Sequence, residues 1–596
     1  MAALFTTPKR NDKTSGAHFV EPDVRRRTLL AHGSWRRVTR RIVCSLACAL
    51  TVSSLLMPSI SLAAEWVDVG GVRHEAVAGP TGDAAGTWSW NGADDMKLNG
   101  YNGGAITAAG KLNIAYEGTN TVETEPDYTG AAIKAKDGTN QKAELNITSS
   151  NSTDELNVTA EADAIKSTGD LSISGPGTVN TTSTTSDGIE AKGDLSITGS
   201  GTVNATGGTE GIQSKGKTTI DSSGTVLAKG GEGYGIAAGS DLIVKGGGKV
   251  EASSNEDVAI WADGNIDISG GSQVKASSQE DLAVDAEGSL TVTNASLNAS
   301  GVEYGVYGRK GITLDHATVT VRASTGGGWQ TIALITDEDD IIIKNGSIVD
   351  ALAEGGFSAA IASRNYNPGE SGGHIYISDS VVKAIARYIE TGGDGPDHYS
   401  NDQSGGVIPE PRGLNIGIFA QTYEGITPAS ISIVRSKVTA EGDTAAIFAL
   451  AISEDGKAIG TIEIEDAPIQ TPGGGKIINY RYEEEYGPSI SYEAGQTIGT
   501  GDVVIDSPYD AAVAKSAVIV PPEEIKPEEK SGETKSEGSK SEGTKTTKTV
   551  AVATTGAKTT GKLAATGDVS SAAIIATALA GTAAIAAGAV VSRKRS

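Results

Sequence analysis

Acidic residues recur along the middle of the chain at one place in a repeating pattern. They stand two or three residues before an aliphatic residue that itself recurs about every 24 positions. If the fold stacks equivalent positions, these carboxylates form a column with a spacing of about 4.8 Å. Such a column either stays solvated or binds a hard cation such as Ca²⁺, which prefers carboxylate and carbonyl oxygens. The members of the column are Asp163, Asp187, Glu210, Asp257, Asp281 and Glu303.

A second set of residues suited to ligand recognition lies in the C-terminal third of the repeat, where insertions break the period. Aromatic side chains with carboxylates nearby, on loops over a rigid scaffold, are typical of carbohydrate sites. Two interpretations stay open: a carbohydrate site, or loops that only decorate the scaffold. The residues concerned are Trp329, Tyr366, Asp397, His398, Tyr399 and Tyr423.

The repeat itself predicts the fold. Each unit has a lead aliphatic residue, then an alternating aliphatic pair, then a third aliphatic residue, with Gly or Asp-Gly between them. Such alternation bounded by turn residues indicates short strands rather than helices, and a repeat of this length indicates a stacked array. The lead residues are Ile165, Ile189, Ile212, Ile236, Ile260, Val284 and Val306.

We therefore predict an all-β protein, a single-stranded parallel β-helix of about a dozen coils between Ile106 and Ile469, right-handed by analogy. One coil cannot stand alone, because burying four aliphatic side chains contributes roughly 6–12 kcal/mol while ordering the backbone of a coil costs roughly 24–48 kcal/mol. Stacking between coils must supply the rest. The units lack the frame of a leucine-rich repeat, and another β-solenoid is the remaining alternative. Looser coils follow, with expected leads at Ile335, Ile361, Ile418 and Ile447.

Composition and charge narrow the class of protein. The chain has 78 glycines and 5% aromatic residues, which fits a turn-rich solenoid. Its net charge of −25 argues against nucleic acid as a partner, since phosphate binding needs a basic face. Both cysteines, Cys44 and Cys48, lie in a segment that we expect to be removed. The mature chain should therefore contain no disulfide.

The N-terminal segment has the parts of a secretory signal. Arginines at 36–41 precede the apolar run Ile42–Leu56, and small residues follow. This pattern predicts a Sec signal peptide over residues 1–64, with cleavage at Ala63 and Ala64. The rest of the chain then divides into an N-terminal cap (65–105), the β-helix (106–470), a C-terminal β cap (471–516), a disordered wall spacer (517–562) and a sorting signal (563–596).

The C-terminal end combines three features. The spacer is rich in Pro, Glu, Lys, Ser and Gly, which cannot form a packed core. An apolar stretch over 569–591 is long enough for a transmembrane helix, and Arg593-Lys594-Arg595 follow it. Between them stands the pentapeptide Leu563, Ala564, Ala565, Thr566 and Gly567.

This ending resembles the cell-wall sorting signal of Gram-positive surface proteins, with Ala564 where the usual signal has proline. The resemblance implies that a sortase cuts between Thr566 and Gly567 and joins the chain to the cell wall. A simple C-terminal membrane anchor is the alternative.

The body of the chain also resembles a known family. The segment Gly86–Ile106 reads GTWSWNGADDMKLNGYNGGAI, and units such as DGIEAKGDLSITGSGTV follow it. These are similar to the entry and coils of secreted bacterial carbohydrate-binding proteins with a pectate-lyase-like β-helix, over Gly86 to about Ala323. The resemblance implies binding of polysaccharide, linked to calcium in some members. Trp88 and Trp90 share one strand face, and we expect them to cap the open core, with sugar stacking as the alternative.

Taken together, these features predict a wall-anchored protein at the cell surface that binds polysaccharide or host glycan and is not an enzyme. It should require no cofactor, with calcium as the one candidate ion, and should not bind nucleic acid. Sortase would be a partner during anchoring, and the C-terminal helix would hold the chain in the membrane before processing. The alternatives are a structural stalk or adhesin for host proteins, and a polysaccharide lyase. No serine-elbow, zinc or phosphate-loop motif stands out.

Overall fold

A computed structural model describes most of the chain from Ala63 to Ile519. The chain divides into two units, and all described residues belong to the first, Met1–Ile525. They are residues 63–139, 141–324, 330–356, 358–365, 372–389, 415–423, 429–442, 445–452, 460–465, 469–470, 477–483, 487–490, 503–507, 510–513 and 516–519.

Three parallel sheets run along the described part of the chain, and each coil adds one strand to each sheet. The first sheet contains Ile106–Ala109, Ile133–Lys136, Ile165–Ser167, Ile189–Ala191, Ile212–Ser214, Ile236–Ala238, Ile260–Ala262, Val284–Ala286, Tyr304–Gly308, Thr331–Thr336, Ser358–Asn365, Asn415–Tyr423 and Ala445–Ile452. The second contains Asp95–Asn99, Lys111–Glu117, Glu144–Ser149, Asp170–Ser174, Leu195–Gly199, Thr218–Ser222, Leu242–Lys245, Ile266–Ile268, Leu290–Thr293, Ile312–Asp315, Ile341–Lys344, His374–Ser378, Ala429–Val434 and Gly460–Glu465. The third contains Asn102–Gly103, Thr119–Glu123, Glu155–Ala160, Thr178–Ser183, Thr202–Thr206, Thr225–Gly230, Lys249–Ser254, Gln273–Ser278, Ser296–Gly301, Thr318–Ser324, Ile348–Gly355, Val381–Tyr388 and Lys437–Gly442.

The register confirms the parallel β-helix. Ile165 pairs with Ile189, Ile189 with Ile212, and the column of lead residues continues to Val306. Equivalent aliphatic residues therefore stack coil on coil in one continuous buried core. Each fully buried Ile, Leu or Val side chain contributes about 1.5–3 kcal/mol.

The prediction that Ile335 is a lead residue is wrong by one position, because Leu334 occupies the lead column. Val306 pairs with Leu334, and Leu334 pairs with Ile361, whereas Ile335 pairs with Tyr307. Side chains alternate between the faces of a strand, so a shift of one residue changes the face. Ile335 accordingly belongs to a second buried cluster, separate from the main core.

Antiparallel strands close both ends of the solenoid. At the N-terminal end Trp66–Val69 pairs antiparallel with Val72–Glu75 and Ile106–Ala109, and the strands Thr81–Gly82, Trp88–Trp90 and Asp95–Asn99 form a small meander. Trp88 and Trp90 are both buried in the main core, which confirms that they cap it.

At the C-terminal end each of the three sheets receives one antiparallel strand. Val503–Ser507 pairs with the last strand of the second sheet, Asp510–Val513 with that of the first, and Ser516–Ile519 with that of the third. Three further strands join this end: Ile469–Gln470, Ile477–Glu483 and Gly487–Ile490.

Helices play almost no part in the described residues. Ala76–Ala78 forms a single 3-10 turn. No helix in the described ranges is long and apolar enough to cross a membrane, and the expected transmembrane segment at 569–591 lies outside them.

The corner between the second and third sheets depends on stacked glycines. Gly199 adopts φ 102°, and a Cβ there would lie 2.6 Å from the carbonyl oxygen of Gly175 in the preceding coil. The site therefore excludes larger residues for two reasons, the backbone conformation and the close approach of the neighbouring coil.

We expect Gly199→Ala to lower the free energy of unfolding by about 1–3 kcal/mol, measured by chemical denaturation. Gly356→Ala is the matched control, because a Cβ at Gly356 meets no atom within 4 Å. Equal stability of the two variants would contradict the close packing of this corner.

Candidate functional sites on the outer faces

Two positions flank each lead residue on the outer side of the first sheet. They are the residue two before the lead and the residue one after it, and we call them the flanking positions. The lead and the small residue just before it face the core, as Ala164 and Ile165 do. The flanking side chains instead contact each other: Lys166 Nζ lies 2.6 Å from Asp163 Oδ2, and the rings of Tyr234 and Trp261 stack at 5.4 Å. The outer face of the first sheet is therefore built from two adjacent columns.

The first three predicted acidic residues do stack in one of these columns. Asp163 accepts a hydrogen bond from the Ser186 hydroxyl of the next coil. Asp187 likewise accepts from the Thr209 hydroxyl, at 2.5 Å. Each carboxylate is thus held by the coil that follows it.

The other flanking position adds a carboxylate that the sequence analysis missed. Glu190 is buried, and one oxygen from each of Asp163, Asp187 and Glu190 lies within 4.8 Å of the others. The sequence pattern could have indicated Glu190, because this residue directly follows a lead residue and must face outward. Lys166 contacts both Asp163 and Glu190, and Lys192 contacts Glu190. Ammonium groups of the protein already neutralise this cluster, which fits a calcium ion poorly.

The carboxyl groups of this column differ in protonation. Burial and a hydrogen bond shared with Glu210 raise the pKa of Asp187 to about 8. Burial would also raise the pKa of Asp163, but hydrogen bonds from Lys166 and Ser186 bring it below its ordinary value. The raised pKa favours a proton shared between Asp187 and Glu210, which reduces the repulsion between these neighbouring coils.

We expect the protein to lose stability as the pH rises from about 4 to about 8. The folded pKa of Asp187 lies above its ordinary value of 3.8, so its contribution is complete below that value and disappears above the folded pKa. Asp187→Asn should keep the melting temperature nearly constant between pH 5 and 9, where the wild type declines.

Asp163→Asn is the contrasting control for this measurement. Because the pKa of Asp163 is lowered in the folded protein, its ionised form stabilises the fold, and this variant should lose stability at neutral pH. A parallel pH dependence in wild type and Asp187→Asn would contradict the shared proton.

The six predicted acidic residues do not form one column. At the position of Asp187 and Glu210 the following coils carry Tyr234, Val258, Leu282 and Tyr304, as the backbone hydrogen bonds between coils show. Asp257 and Asp281 stand one residue earlier and accept bonds from the amides of Val258 and Leu282, both at 2.8 Å. Glu303 also stands one residue earlier, before Tyr304. The prediction of one continuous column of carboxylates is therefore wrong, and calcium binding stays a prediction.

Most of the predicted aromatic set lies outside the described residues. This applies to Trp329, Tyr366, Asp397, His398 and Tyr399, and of Tyr423 only the backbone is described, at the end of Asn415–Tyr423. The sorting residues Leu563–Gly567 also lie outside. Of the predicted cleavage residues, Ala63 is exposed and bridges to Lys111, and Ala64 is buried.

Beyond the acidic column the outer face of the first sheet becomes aromatic. Ala237, Val258, Trp261 and Leu282 form a small buried cluster outside the main core. The half-buried rings of Tyr234, Tyr304 and Tyr307 pack against it. None of these residues was singled out from the sequence, because one aromatic residue per coil looks unremarkable until the register aligns them.

A polar network borders this aromatic region. Arg364 is 4% exposed and donates to Asp337 Oδ1 at 2.9 Å and to Gln330 Oε1 at 3.0 Å. The hydroxyls of Tyr304 and Tyr307 donate to the same Gln330 and Asp337, at 3.1 and 3.3 Å. The two tyrosines are thus fixed directly to the next coil, and Gln330 and Asp337 connect them to Arg364 of the coil after it.

The third sheet carries an open groove across four coils. It has a volume of about 360 Å³ and is lined by residues 204–206, 227–229 and 251–253, and by Lys275 and Ser277. Amide, hydroxyl, carboxylate and ammonium groups surround the aliphatic side chain of Leu227 in this groove. Such a mixture of polar groups and apolar surface is typical of small-molecule and glycan sites.

An asparagine ladder leads into this groove. Asn180 donates to Asn157 at 2.8 Å, and Asn204 donates to Asn180 at 2.7 Å. The next residue in the column is Leu227, which has no amide. The buried Oδ1 of Asn204 consequently accepts no hydrogen bond from a described residue.

Comparison with known proteins supports carbohydrate binding. A family model described as "Carbohydrate-binding domain-containing protein" matches residues 101–241. No curated protein and no solved structure matches the chain. The matched segment includes the acidic column, the asparagine ladder and the first two strands of the groove, while Trp261 lies beyond it. The parallel β-helix and this match together fit a β-helical carbohydrate-binding protein.

Proposed function

We propose that this protein is displayed on the cell surface and binds polysaccharide or host glycan in the groove of the third sheet. The observation that carries the proposal is the groove itself, whose polar groups stand on rigid strands rather than on loops. Support also comes from the family match, which includes the first half of the groove's lining.

The chemistry of the groove suits sugar hydroxyl groups. The Oδ1 of Asn204 is buried without a described donor, and rotation of this half-buried side chain would offer it as an acceptor. Leu227 offers an apolar surface for the carbon face of a sugar ring. Lys229 and Lys275 are exposed and form no ion pair with another described residue, so their ammonium groups can donate to a ligand. Equivalent residues of successive coils line the groove, so a linear glycan would lie along the solenoid axis.

We expect the full chain to bind at least one glycan on an array, and Asn204→Ala and Lys275→Ala each to weaken that binding roughly fivefold to tenfold. Thr219→Ala on the outer face of the second sheet is the control and should leave affinity unchanged. Absence of binding to any glycan would refute the function. If both groove variants bind the glycan with unchanged affinity, the function would stand and the site would lie elsewhere.

We also propose that the protein is anchored to the cell wall by sortase. The pentapeptide Leu563–Gly567, the apolar stretch 569–591 and the basic tail support this. Protein released from walls by muralytic enzymes should end at Thr566, as read by mass spectrometry of its C-terminal peptide. Released protein that retains Arg593-Lys594-Arg595 would indicate a membrane anchor instead.

We propose a binding protein rather than a lyase. A lyase needs a base that can take up a proton near neutral pH. Arg309 is a poor candidate, because the hydrogen bonds that it donates to Glu287 and Glu338 raise its pKa further. Arg364 is likewise held by Asp337. The arginines that border the aromatic region are thus engaged in holding coils together.

A further inference from the structure

We propose that the aromatic region of the first sheet is a second glycan site, which binds sugars that carry a protonated amine. It lies on a different sheet from the groove and does not depend on the function proposed there. The region comprises Tyr234, Trp261, Tyr304, Tyr307 and the carboxylates around them.

The aromatic part offers ring faces and one buried donor without a described partner. Tyr234 and Trp261 stack with an angle of 20° between their planes. Trp261 is only 8% exposed, yet its indole Nε1 donates to no described residue. Buried N–H groups without an acceptor are rare and point to a missing partner.

The register places carboxylates directly among these rings. Asp285 lies between Trp261 and Tyr307 in one flanking column. Burial raises the pKa of Tyr307, and the nearby carboxylates of Asp337, Asp285 and Glu287 raise it further. Burial likewise raises the pKa of Tyr304, with a smaller contribution from Glu303. The cations beside them, Arg309 and Arg364, are fewer and each is bound by a carboxylate. The region as a whole is therefore negatively charged.

Charge and aromatic rings together select the class of ligand. A protonated amine is attracted both by carboxylates and by the faces of Trp and Tyr rings. A sugar supplies hydroxyl oxygens for the Trp261 donor and carbon faces for the rings. Uronic acids and sulfated sugars would be repelled by the same carboxylates. The ligand that satisfies all these groups is an amino sugar without its acetyl group.

The test compares oligosaccharides of equal length by titration calorimetry with the full chain: β-linked glucosamine, its fully N-acetylated form and galacturonate. We expect glucosamine oligomers to bind and to weaken as salt increases. The acetylated form should bind at least roughly tenfold more weakly, because it lacks the charge. Galacturonate should show no binding at this region.

Two variants locate the binding. Tyr234→Ala removes a ring face, and Glu287→Gln removes one carboxylate while Arg309 keeps Glu338. Each should weaken glucosamine binding roughly tenfold. Glu287→Gln preserves shape and keeps the test decisive if Tyr234→Ala perturbs folding. Glu117→Gln is the matched control, since Glu117 is also paired with a cation, Lys97, but lies on the second sheet.

Several outcomes would overturn the inference. They are equal affinity for the acetylated and free amines, unchanged affinity in Tyr234→Ala and Glu287→Gln, and equal binding of an oligolysine peptide. Loss of glucosamine binding in Asn204→Ala instead would assign it to the third sheet. If the groove variants bind other glycans with unchanged affinity, this result would contradict only the groove site proposed above and not the aromatic site.

Discussion

The whole structure depends on the hydrogen-bonded register between successive coils. Each strand pairs in parallel with its equivalents in the coils before and after it, and so every side chain stands next to its counterparts. Inside, this produces an unbroken column of Ile, Leu and Val. Outside, it produces columns of whatever residue occupies the position, so that like side chains are forced together whether or not they attract.

The side chains of each outer column must therefore be compatible with their counterparts in the neighbouring coils. Asparagine is self-complementary, and Asn157, Asn180 and Asn204 satisfy one another through amide donors and acceptors. Carboxylates repel one another. This repulsion is reduced by the proton that Asp187 shares with Glu210, and by the ammonium group of Lys166 beside Asp163. At Asn204, where such compensation ends, and at Trp261, a polar atom is left without a hydrogen-bond partner among the described residues. The candidate sites lie at these two positions.

The sequence alone predicted the coils because their core residues repeat with a fixed spacing and strict alternation. It predicted the outer columns less well, since a difference of one residue changes the face. Asp187 and Asp257 look equivalent when counted loosely, yet the register puts Val258, not Asp257, in the column of Asp187. The prediction of Ile335 as a lead residue is wrong for the same reason. The groove of the third sheet could not be foreseen, because it arises from the sizes of neighbours in four coils, which no single unit displays.

The antiparallel strands at the C-terminal end have a consequence for the length of the solenoid. A parallel coil can be extended only by another parallel strand in the same register, and here the last parallel strand of each sheet is followed by a strand of reversed direction. Reversed strands present alternating narrow and wide pairs of hydrogen-bonding groups instead of an even ladder. A second copy of the chain therefore cannot add its first coil directly to the last parallel coil, because antiparallel strands of the same chain already pair with that edge in all three sheets.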